Sequence, residues 1–205
     1  MKTKRTFGEV RAFDKDEAEK TRIIPFVIST ERRDRHKTVL DIQGWILDDY
    51  QRNGIVGYQH EVYGDGLFGS NPDSVIGKGN VRVEGNQLVA DVHFEPPELN
   101  PLAEKIFRKV LFGTLKASSV GFLPIEKGKW GEGKEARGEE NETYYYGKRQ
   151  LLEFSIVNIP SNADAIVRNI EDEDLKEFEE EKHEEPDIVP DAHSIMKMSI
   201  DLINN

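Results

Sequence analysis

Apolar and polar positions alternate with period two along most of this chain, and one stretch near its middle switches to helical period. The alternation is clearest in "VIGKGNVRVEGNQLVADVHFE", where Leu88, Ala90, Val92 and Phe94 fall on one face of a strand. Gly85 and Asn86 tolerate positive φ and predict a tight turn, so the stretch reads as a β-hairpin. Upstream, the β-branched "RIIPFVIST" at 22–30 predicts a first strand, followed by the charged turn "ERRDRHKT" and the extended "VLDIQGW". "LDDYQRNGIVGYQHE" passes an Asn-Gly turn into a short apolar strand, Ile55–Tyr58, with His60 just beyond its end.

"LNPLAEKIFRKVLFG" carries the helical period. Asn100 caps the helix, Pro101 suits its first turn, Leu102, Ile106 and Val110 share a face, and Gly113 ends it. A strand over about 115–124, "TLKASSVGFLP", comes next, with Ser118 and Ser119 directly before Val-Gly-Phe. Residues 126–142 are Gly-rich and charged and predict a long loop. "TYYYGKRQ" and "LLEFSIVNIP" read as two closing strands, with Gly147 bending or bulging between them. Many short strands and one main helix predict a β-rich α+β fold, a barrel or a sandwich.

Charge changes the picture at the C-terminal end. The formal net charge is −11, and residues 171–205 carry −10 of it, so the body is near neutral. Self-repulsion and the lack of a buried face make "EDEDLKEFEEEKHEEPDIVPD" a solvated or flexible tail, either solubilising or a docking or removable segment. The expected organisation is a lead segment over 1–21, one domain over 22–170 and the tail over 171–205. An acidic tail on a neutral body argues against nonspecific nucleic-acid binding. With zero cysteines there are no disulfides and no thiolate chemistry. No apolar run follows the basic start, so no secretion signal is expected, and no stretch approaches the about 20 apolar residues of a membrane span.

Phosphate-loop, dinucleotide, nucleophile-elbow and zinc-protease signatures are all missing. The five histidines do not pair at helical spacing, so no metal or cofactor is expected. What remains is serine, histidine and carboxylate on separate elements, the ingredients of a base-activated hydroxyl. Alternation puts Ser119 and Gly121 on the strand face opposite Val120 and Phe122. It likewise groups Leu152, Phe154 and Ile156 against Glu153, Ser155 and Val157. Glu153, flanked by apolar residues, needs either solvent or a partner, and an imidazole would serve.

"IVGYQHE", "VIGKGNV", "NPLAEKIFRKVLFGTLKASSVGF" and "LLEFSIVNIPSNADA" resemble the prohead proteases of tailed bacteriophages, relatives of the herpesvirus assemblin, over about residues 22–168. The resemblance implies an assemblin-like closed or partly open β-barrel with one main helix at about 100–112 and flanking short helices. It implies a serine endopeptidase with Ser119 as nucleophile, His60 as general base and Glu153 as third member, His93 being the other candidate. Gly121 would leave room for the acyl group, and Ser118 would be structural or a supporting donor. Scaffold and major capsid proteins, and the protease itself, would be substrates, cleaved inside the assembling prohead in the host cytoplasm. Homo-oligomers are a further implication. A non-catalytic capsid-assembly or scaffolding factor on the same fold is the alternative.

Overall fold

The Gly85–Asn86 turn forms as expected, with Gly85 at φ +56°, in a computed structural model that describes residues 13–64, 71–131 and 142–168. It joins β5 (Val75–Glu84) to β6 (Gln87–Phe94), whose ladder runs in register from Glu84↔Gln87 to Gly77↔Phe94. On the far side of β6 lies β1 (Ile23–Thr30), and on the far side of β5 lies β4 (Ile55–Tyr58), both antiparallel. β4 runs parallel to the last strand, β10 (Arg149–Val157). β10 also takes β3 (Trp45–Ile46) in parallel, and β7 (Ala117–Pro124) antiparallel along its other edge. These seven strands form one sheet. A three-stranded sheet pairs β2 (Thr38–Leu40) with β9 (Tyr144–Tyr146) and β9 with β8 (Lys129–Trp130).

The fold is therefore β-rich α+β, but the ladders do not close into a barrel. Between β1 and β7 there are only single bridges, Phe26↔Val167 and Ala117↔Ile166, made by the chain after β10. Three α-helices accompany the sheets among the described residues: α1 (Lys15–Thr21), α2 (Asp48–Arg52) and α3 (Pro101–Phe112). α3 is the expected main helix. Asn100 Oδ1 accepts from the N–H groups of Leu102 and Ala103, and Gly113 ends the helix at φ +92°. Its buried stripe is Ala103, Ile106, Phe107, Val110 and Leu111, one step round from the expected face, and Leu102 is only partly buried. α2 ends just before the Asn53-Gly54 turn and is one of the short helices beside the main one. The acidic segment 171–205 and residues 132–141 of the expected long loop lie outside the described residues.

The main departure from the expected pattern is in β10. The β7–β10 register slips between Leu151 and Glu153, which leaves Leu152 as an extra residue, a bulge, and 42% exposed. Gly147 lies where the chain breaks between β9 and β10, as expected, and the bulge at Leu152 is a second irregularity. Leu151, instead of Leu152, joins Phe154 and Ile156 in the core, and Glu153 keeps the opposite face with Ser155. A bulge reverses alternation for every residue before it, so period-two counting across 151–153 misassigns the leucines.

Arg149 anchors the start of β10. Its guanidinium is fully buried, lies 4.1 Å from the centre of the Trp45 ring, and donates to the carbonyls of Tyr146, Gly147 and Asp41. Burial pulls its pKa down to about 10, against an opposing pull from Asp41 and Glu31. It stays charged at neutral pH and ties the backbone at 146–147 to that of Asp41. Arg149→Met should cost about 2–4 kcal/mol in urea unfolding, because buried carbonyls lose their donor. Arg149→Lys should rescue little of this, since an ammonium cannot span the same fork. A lysine variant within about 1 kcal/mol of wild type would contradict the anchoring role.

Candidate active site

His60 follows β4 through two consecutive left-handed residues, Gln59 at φ +55° and His60 at φ +61°. Such conformations cost non-glycine residues about 1–3 kcal/mol each and persist where neighbours hold them. Two hydrogen bonds do so here: Gln59 N–H donates to the Ile156 carbonyl at 3.0 Å, and His60 N–H donates to Ser155 Oγ at 3.2 Å. The turn lifts the imidazole off the strand and lays it over β10. There its Nδ1 lies 2.7 Å from Glu153 Oε1.

Glu153 is 1% exposed, whereas the His60 side chain is 38% exposed. A carboxylate this deep needs partners on both oxygens. Oε1 faces His60, and Oε2 accepts from Ser155 Oγ at 2.8 Å. The space for the carboxylate comes from β7. Gly121 lies opposite Glu153 in the ladder, and a Cβ there would overlap Glu153 Oε1. The glycine beside the serines thus makes room for the acid. Burial first, and the Glu153 charge second, raise the pKa values of Tyr50 and Tyr63.

Ser119 stands two residues before Gly121 on the same face of β7, paired in register with Ser155. It is 8% exposed, and its hydroxyl has no hydrogen-bond partner among the described residues. Ser119 and His60 line one cleft of about 390 Å³, without a hydrogen bond between them. Such bonds are commonly long in free enzymes and tighten when substrate binds. Ser118 also lines the cleft, but it is fully buried and its hydroxyl donates to the Val27 carbonyl at 3.2 Å. His93 is exposed on β6 and does not line the cleft. His36 lines the cleft wall, and His183 and His193 lie outside the described residues. Among the described residues no group of three or more His, Asp or Glu side chains is arranged to hold a metal ion.

The cleft beside Ser119 is walled by Ile28, Leu40, Val120, Phe122 and Tyr146. Asp34 also reaches it, but its oxygens are engaged by the N–H groups of His36 and Thr38 and by the Thr38 hydroxyl. The arrangement is a free hydroxyl, an exposed imidazole and a buried carboxylate behind the imidazole. Chemically, it can take a proton from the hydroxyl and stabilise the resulting imidazolium. Sequence reading missed Ser155, although alternation had already put it on the Glu153 face. It also missed the left-handed turn at 59–60, which no residue type announces.

Gly121→Ala should push the Glu153 carboxylate away from His60 and destabilise the fold by about 1–3 kcal/mol. A crystal structure of that variant should show the 2.7 Å contact broken. An intact contact would mean that the glycine is not what makes room for the acid.

The family model for the caudovirus prohead serine protease matches residues 74–181, just over half of the chain. The match includes Ser119 and Glu153 and begins downstream of His60. No curated protein and no solved structure matches the chain. Over these residues the chain belongs to the caudovirus prohead serine protease family.

Proposed function

We propose that the protein is a serine endopeptidase of the Ser-His-Glu type that cleaves capsid and scaffold proteins inside the assembling prohead, in the host cytoplasm. The observation that carries this reading is the buried Glu153 bonded to His60 Nδ1 in the cleft that also holds Ser119. Family membership supports the reaction class.

In this mechanism the His60 Nε2 lone pair takes the Ser119 proton as Oγ attacks the scissile carbonyl carbon. The C–N bond then breaks, and the imidazolium gives that proton to the departing amine. An ester on Ser119 remains. A water molecule loses a proton to His60 as it attacks the ester, and the proton returns to Ser119 as the acid product leaves. Glu153 holds the imidazole in place and stabilises the imidazolium. The apolar cleft walls suit an uncharged stretch of polypeptide, because an unpaired charge would be costly there.

The lead segment 1–21 and the tail 171–205 stand outside the proposed protease domain, 22–170. The −10 charge of the tail suits a segment that docks the protease in the prohead and is removed once the shell closes. Intact mass followed over time at high protein concentration tests self-processing and the nucleophile together. Wild type and Ser118→Ala should shorten from the C-terminal side. Ser119→Ala should stay whole, its rate reduced by a factor on the order of 10⁴ or more. Shortening of Ser119→Ala at the wild-type rate would overturn the assignment.

A further inference from the structure

We propose that Ser155 is a positioning residue, whose hydroxyl fixes both the acid and the base of the site. This rests on the reading of Ser119, His60 and Glu153 given above. Ser155 is fully buried on β10, between the core residues Phe154 and Ile156. Its Oγ donates to Glu153 Oε2 at 2.8 Å and accepts the His60 backbone N–H at 3.2 Å.

Counting donors and acceptors fixes the protons. An ionised carboxylate only accepts, so the single Ser155 hydroxyl proton must point at Oε2. Its lone pairs are then left for the His60 N–H. The same reasoning puts a proton on His60 Nδ1, directed at Oε1, and leaves the Nε2 lone pair free in the cleft. That is the tautomer a general base requires. One hydroxyl thus orients the carboxylate and holds the strained backbone that carries the imidazole.

The surroundings are shaped to this hydroxyl. Gly57 lies opposite Ser155 on β4, and a Cβ there would sit 2.5 Å from Ser155 Oγ and 2.6 Å from Val62 Cγ1. Gly121 on β7 makes the matching room for the Glu153 carboxylate. Three neighbouring strands therefore each give up or supply a group for one polar cluster in an apolar sheet. A packing role alone needs no hydroxyl at 155.

The test uses the full chain. The rate of Ser119 phosphorylation by diisopropyl fluorophosphate, with fluoride leaving, is measured for wild type, Ser155→Ala and Ser155→Cys. The His60 Nδ1 proton is followed in parallel by NMR, and stability by thermal unfolding. Ser155→Ala should react on the order of 10- to 100-fold more slowly and shift or lose the Nδ1 proton resonance, while still unfolding cooperatively. Ser155→Cys keeps a weak donor and acceptor and should fall between. If Ser155→Ala does not fold, the cysteine variant carries the test on the same criteria. Reaction within twofold of wild type with an unmoved resonance overturns the inference. Folded wild type that fails to react at Ser119 overturns instead the reading of the site, and the inference with it.

Discussion

The contact between His60 Nδ1 and Glu153 Oε1 is the constraint on which the rest of the site depends. It asks the fold to bury a carboxylate almost completely in a sheet whose other buried positions are mostly apolar, and such burial is tolerated only with full hydrogen bonding. Each unusual local feature nearby meets that demand. The bulge at Leu152 lets Leu151 join the core while Glu153 keeps the opposite face of β10, buried against His60. Gly121 vacates the space the acid fills. The left-handed residues 59 and 60 bring the imidazole back over β10, where β4 would otherwise have carried the chain past it.

β10 holds this position because it pairs with three strands, β7 along one edge and β3 and β4 along the other. Side chains on such a strand have little freedom, and precision within about 0.5 Å is what a catalytic pair requires. Ser119 sits on the neighbouring strand in register with Ser155, so Ser119 and Glu153 are fixed by one ladder. His60 enters from a turn and is the more exposed partner, 38% against 1% for Glu153. The two adjacent hydroxyls differ in their bonds: Ser119 has no partner among the described residues, and Ser118 is spent on the Val27 carbonyl.

Much of this was legible in the sequence. The β5–β6 hairpin and α3 were, because turn glycines and cap residues are local signals that act where they stand. Ser119, His60 and Glu153 were reached through alternation and the family resemblance, without any spacing rule to join them. What was not legible is long-range or geometric. The bulge depends on how β7 and β10 pair, and no residue in "LLEFSIV" signals it. The open sheet, where a closed barrel had been one of the expectations, reflects single bridges at 166–167 in place of a full ladder. The role of Gly121 was visible only once Glu153 lay opposite it, since a glycine shows that space is needed but not for what.

The central claim is that Glu153 and His60 together make a nucleophile of Ser119. Treatment with a fluorophosphonate, followed by peptide mapping of the adduct in wild type, His60→Ala and Glu153→Gln, tests it most directly. One adduct is expected, on Ser119, abolished in His60→Ala and strongly slowed in Glu153→Gln. An adduct on a different serine, or undiminished labelling without His60, would contradict it.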